Sequence, residues 1–143
     1  MNTPLSDKQF LEMIPSRAQP DQAFYVLLNS GEIKSDRISI IKTLVGFNDA
    51  FIAYLLSIDV KTARNYTSTT KAINKNLQER IVVLLSFIKH GLEYFGSSTK
   101  FNLWINAENF YLDNKRPSQY MDTISGIVVL DTMLANMEYG KNA

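Results

Sequence analysis

From Ser35 onward apolar residues recur at three- and four-residue steps. Ile38, Ile41, Leu44 and Val45 mark one helical face, and Gly46 supplies a stop. Asn48 suits the cap of a second helix, which carries Phe51, Ile52, Leu55 and Leu56 on one side. The segment SIDVKT breaks the pattern. A short helix then runs through Ala63 to Tyr66, before the polar stretch TSTTKA. Asn74 caps the longest helix, striped by Leu77, Ile81, Leu84, Leu85, Ile88, Leu92 and Phe95. Strand side chains alternate every second residue, so this stripe belongs to a helix, and Gly96 ends it. Ser97 or Ser98 opens a short helix bearing Phe101, Trp104 and Ile105. Residues 106–121 contain Pro117, show no period and read as a loop. Asp122 or Thr123 caps the last helix, in which Ile127, Val128, Leu130, Leu134 and Met137 face inward and Gly140 closes. No segment alternates as a strand and no internal repeat occurs. The pattern predicts an all-α fold.

The beginning of the chain is different. Residues 1–22 are polar and hold Pro4, Pro15 and Pro20, which predicts a frayed or loosely docked arm. A short apolar run in FYVLLNSGEI follows, closed by Asn29, Ser30 and Gly31.

Composition narrows the class. At 143 residues the chain suits one domain, or two small ones sharing a core. Eight Phe, seven Tyr and one Trp supply enough bulk for that core. No apolar run reaches the ~18 residues that a membrane helix needs, and the first residues lack the pattern of a signal peptide. Cysteine is absent, which excludes disulfides, thiolate metal sites and cysteine nucleophiles and fits a cytoplasmic protein. The net charge of +1 is uninformative, but its distribution is uneven. Residues 57–80 carry Lys61, Arg64, Lys71, Lys75 and Arg80 against Asp59 and Glu79. Residues 101–143 carry three basic and five acidic side chains. Such a chain can meet phosphate in its middle and another partner at its end, although ordinary surface charge gives the same counts.

Two short helices flank SIDVK. Asp59 can accept bonds from the free amides of the second, which begins near Val60. In a helix-turn-helix the second helix enters the major groove, and residues near its start meet base edges. Lys61, Thr62, Arg64 and Asn65 are the candidate DNA-binding residues. Lys suits phosphate, Arg suits guanine and Asn suits adenine. The same pair of helices also occurs in plain bundles, so DNA binding and structural packing stay open on this pattern alone.

A family resemblance adds to this reading. IAYLLSIDVKTARNY resembles the helix-turn-helix of Xre-type antitoxins, with Ser57 where a glycine is usual and Asn65-Tyr66 ending the second helix differently. INKNLQERI is similar to that family's entry into a long helix, and YFGSSTKFNLWI to its helix end and tryptophan segment. NKRPSQYMDTISGI looks like its proline loop and cap, without the usual acidic residue after the proline. MEYG is similar to its ending. Together these segments, over roughly residues 25–140, resemble an Xre antitoxin with a ParS/MbcA-like toxin-binding domain, the partner class of RES-domain toxins. With the polar arm taken as 1–24, the resemblance implies a helix-turn-helix region at 25–73 and a helical toxin-binding domain at 74–143. It implies an all-α fold whose helix-turn-helix part packs on that C-terminal domain. It also implies an antitoxin that blocks a RES-type, NAD-degrading toxin and represses its own operon through operator DNA.

Residues matching the family motif are Trp104, Arg116, Pro117, Asp122, Thr123, Gly126, Glu138, Tyr139 and Gly140. The expected toxin contacts are Arg116, Pro117, Glu138, Tyr139, Gly140 and Lys141; a merely solvated helix end is the plain alternative. Trp104 reads as a core anchor. Gly126, in the first turn of a helix, costs stability relative to Ala, and a close backbone approach, within the chain or across an interface, would justify it. His90 is the only histidine and reads as packed or surface-borne, since no nucleophile or acid cluster accompanies it in sequence. With no paired carboxylates, phosphate loop or spaced metal ligands, the chain reads as a binding protein, not an enzyme, needing no cofactor or metal. A homodimer is expected, because operators are normally read by two symmetric copies. The alternative function is a stand-alone helix-turn-helix transcriptional regulator with a C-terminal dimerisation domain.

Overall fold

The computed structural model describes residues 3–140. Among them eight α-helices follow in order: α1 (Asp7–Met13), α2 (Gln22–Leu28), α3 (Ile38–Val45), α4 (Asp49–Leu56), α5 (Val60–Ser68), α6 (Lys75–Phe95), α7 (Ser98–Asn106) and α8 (Ile124–Glu138). The described residues hold no strand beyond an isolated antiparallel bridge between Asn109 and Lys115. The all-α expectation therefore stands.

The helix starts are made by caps visible in the sequence. Asn48, Asp59, Asn74, Ser97 and Thr123 accept bonds from the amides of Phe51, Thr62, Leu77, Lys100 and Gly126. Each satisfies a backbone donor that the first turn leaves free, worth about 1 kcal/mol. Of the paired alternatives, Ser97 rather than Ser98 and Thr123 rather than Asp122 take the cap position. Gly46 and Gly96 end α3 and α6 in the left-handed conformation. Ser57 does the same for α4, with φ of 56°. That is the position where the resembled family usually has glycine, and glycine adopts this conformation without steric cost.

Helix α6 is the axis of the molecule. Its residues from Ile81 to Ile88 are buried around the whole circumference. A helix apolar on all sides must be enclosed by neighbours. Helix α8 packs along it, while α7, α2, α4 and α3 close the other sides. The buried residues form one core cluster from Phe10 to Leu134, so the N-terminal and C-terminal halves share a single interior.

The expected loose arm is corrected. Ser6 caps α1 in a reciprocal box with Gln9, and Phe10, Ile14 and Ala18 are buried. The Arg37 guanidinium is nearly enclosed. It donates to the carbonyls of Leu5 and Glu32 and to the carboxylates of Asp7 and Glu32, and it lies 4.3 Å from the Phe10 ring centre. Lys89 donates to the carbonyls of Leu11 and Ile14, both at 2.9 Å. A few anchors from distant helices order this segment, which is why its polar composition pointed the other way.

Candidate functional site

The stretch read as a featureless loop at 106–121 is ordered. Asn109 accepts from the Tyr111 amide, and its own amide donates to the Lys115 carbonyl at 3.0 Å. Asp113 and Asn114 turn the chain with φ of 55° and 61°, a conformation that short polar side chains tolerate better than most. A second turn, Pro117–Tyr120, buries Pro117 and leaves Arg116 exposed, with the Arg116 amide bonded to Gln119. Beyond it, Met121 is buried and Arg80 donates to the Asp122 carbonyl at 2.5 Å. The chain then enters α8 so closely that a Cβ on Gly126 would stand 1.9 Å from the Tyr120 carbonyl oxygen. The glycine is required by a backbone approach inside this chain.

Helix α8 divides into two faces. Ile127, Leu130, Leu134 and Ala135 are buried against the core, and Val128 and Met137 are half-buried. Ser125, Val129 and Thr132 lie at four- and three-residue steps on the outer face, and Tyr139 follows seven residues after Thr132. Val129 is 45% exposed and Tyr139, just past the helix end, is 80% exposed. On the preceding loop Phe110 is 79% exposed beside a free Tyr111.

The inner face also carries a charge, which the sequence reading missed. Asp131 is fully buried and accepts from Arg17 Nε and from His90 Nδ1, both at 2.7 Å. The other ring nitrogen of His90 meets the Glu138 carboxylate. Burial opposes charge on His90, but the hydrogen bonds to Asp131 and then Glu138 outweigh it and raise its pKa above the usual value. Burial likewise opposes charge on Asp131. The bonds from His90 and Arg17 prevail, and its pKa lies below the usual range. Carboxylates distant in sequence therefore converge after all, although on a histidine whose ring nitrogens are both engaged. The available signal was an aspartate in the register of Ile127 and Leu134.

This unit, from the end of α6 through α8, decides the comparison. Residues 90–140 match the antitoxin Xre/MbcA/ParS C-terminal toxin-binding domain. No curated protein matches the chain. The match supports an antitoxin role with a toxin as partner, and the matched domain is a binding module rather than a catalytic one. No helix of the described residues is long and apolar enough to cross a membrane.

Within the toxin-binding domain the expected contact residues are differently disposed. Arg116 and Tyr139 are free, and Arg116 has no ion pair among the described residues. Pro117 is buried and shapes the loop instead of projecting from it. The Glu138 side chain is 44% exposed, yet it is bonded to His90. Gly140 is exposed with φ of 74°, and Lys141 lies outside the described residues. Trp104 is half-buried against Phe95, with ring centres 5.5 Å apart.

Helices α4 and α5 are joined by Ser57, Ile58 and Asp59, and Ala63 alone of α5 is buried. Lys61, Arg64 and Asn65 are exposed, whereas Thr62 is half-buried. Two of the four are already engaged. Arg64 Nε lies 3.5 Å from Asp49, which also accepts from Lys42 at 2.7 Å. The Asn65 side chain accepts from Lys71 at 3.0 Å.

Proposed function

We propose that this chain is the antitoxin of a type II toxin–antitoxin pair. In this reading it blocks a RES-type, NAD-degrading toxin with its C-terminal domain and represses its own operon as a dimer through α4 and α5. The observation that carries the reading is the family match over residues 90–140. It falls on a unit whose last helix leaves one face and its tip uncovered. Tyr139 is the anchor there, since tyrosine is among the side chains that most often carry interface energy, and Val129 adds apolar area on the same helix. Arg116 adds a free guanidinium with five donors in a fixed fork, suited to a carboxylate or phosphate on the toxin. The chain does no chemistry in this role.

Co-expression with the product of the adjoining gene tests it. A stable complex, restored growth and preserved cellular NAD are expected. A neighbour that is neither toxic nor bound sinks the reading.

The exposed outer face of α5 favours a second reading, a stand-alone regulator whose C-terminal half dimerises. Lys61 and a displaced Arg64 would supply phosphate and base contacts, and DNA binding would weaken steeply with salt. Removing the residues from Asn136 onward separates the two. Loss of toxin neutralisation with DNA binding intact favours the antitoxin.

A further inference from the structure

The chain Arg17–Asp131–His90–Glu138 runs from the core to the tip of α8, and it engages one of the expected contact residues, Glu138. We infer that His90 is a positioning residue for that tip: as an imidazolium it ties Glu138 to α6, and on losing its proton it lets Glu138 go. The functional consequence rests on the antitoxin reading, because it supposes that the end of α8 meets the toxin.

The geometry sets which bond breaks. A neutral imidazole has one N–H and cannot donate to two carboxylates. Asp131 is fully buried and its second oxygen is held by Arg17, so leaving it without His90 would strand a charge away from water. Glu138 is 44% exposed in its side chain and reaches solvent at little cost. The single N–H of neutral His90 therefore stays with Asp131, and Glu138 is released. Glu138 is the last residue of α8, whose final turn carries no basic side chain of its own. The imidazolium supplies positive charge where the helix dipole favours it. Its loss loosens the turn in which the Tyr139 amide bonds Ala135 and the Gly140 amide bonds Met137.

The charged groups around His90 come from three segments. Asp131 and Glu138 face it from α8, and Arg17 reaches Asp131 from the N-terminal segment. On α6, Lys89 and Glu93 flank it in sequence, with Lys89 held by the carbonyls of Leu11 and Ile14 and Glu93 by Ser16. Because the fold raises the His90 pKa, the tie is complete below the ordinary value of 6.5 and is lost as pH rises through the raised one.

The experiment uses the full-length, isotope-labelled protein. Imidazole nitrogen shifts of His90 and amide exchange along α8 are followed against pH. Both nitrogens should be protonated at low pH. Protection at Tyr139 and Gly140 should then fall roughly tenfold with the His90 titration, the scale of one lost charge-assisted bond, while Leu130 keeps its protection. Glu138→Gln, at a half-exposed site that leaves the core intact, keeps an acceptor oxygen but loses the charge; it should lower the His90 midpoint and loosen the tip partly below that midpoint. A tip equally protected on both sides of the midpoint and in Glu138→Gln overturns the inference, as does a His90 that is neutral at low pH. The adjoining gene's product is then titrated against wild type and Glu138→Gln. If wild type binds and the variant binds equally well, the tie has no bearing on the partner and the positioning role fails. If wild type binds nothing at any pH, the antitoxin reading fails, and the exchange data still decide whether His90 holds the tip.

Discussion

Gly126→Ala puts a methyl group where the Tyr120 carbonyl already stands. The added Cβ would lie 1.9 Å from the oxygen, 2.8 Å from its carbon and 2.9 Å from Thr123 Oγ1, and real Cβ atoms stay beyond 3.0 Å. Either the turn Pro117–Tyr120 or the start of α8 must move by about 1 Å, a scale set by the packing of interiors. The turn is anchored by buried Pro117 and Met121, and α8 by the core, so neither side yields freely. Overpacking of this kind costs about 1–3 kcal/mol. Disturbing the Thr123 cap adds about 1 kcal/mol, and the better helix propensity of Ala returns about the same amount. The net expectation is a loss of about 1–3 kcal/mol, which lowers Tm by several degrees in a chain of this size. Urea unfolding followed by circular dichroism measures it. A variant as stable as wild type would refute the reasoning and would reassign Gly126 to the approach of a partner's backbone.

Gly91→Ala should also destabilise, by about 1–3 kcal/mol, because its Cβ would stand 2.3 Å from the buried Phe101 ring; Phe101→Leu added in the same chain should recover part of the loss, read as a double-mutant cycle. Ser57→Gly should stabilise by about 0.5–1 kcal/mol in the same unfolding assay, since glycine relieves the left-handed backbone at φ of 56° against its larger unfolded-state entropy. Arg37→Met should cost about 2 kcal/mol and expose residues 5–18 to rapid amide exchange, while α8 stays protected. Stability should peak between two titrations. The Asp131 contribution is present above its ordinary value of 3.8 and is lost as pH falls through its lowered pKa, whereas the His90 contribution is lost as pH rises through its raised one. A urea midpoint that is flat with pH, or that climbs above neutrality, would contradict this.

The sequence by itself determined the helices from Ile38 onward and most of their starts and stops, although it left Ser97 or Ser98 and Asp122 or Thr123 open as caps and ended at Tyr66 a helix that runs to Ser68. Those features depend on residues three or four positions apart, and apolar steps with Asn48, Asp59, Asn74 and Thr123 at their heads record them directly. It also marked the C-terminal segment whose family match now covers residues 90–140, and it posed the right question about Gly126 without being able to choose the approaching group. Tertiary structure alone decided the rest. The N-terminal segment is ordered because Arg37, Lys89 and Asp131 reach it from far along the chain; Arg17 and Asp131 are 114 positions apart. His90 and Glu138, 48 apart, meet only because α8 lies along α6. Pairings of that kind depend on how every helix packs at once. A one-dimensional pattern of polar and apolar positions marks a buried aspartate or arginine as a surface residue until its partner is in place.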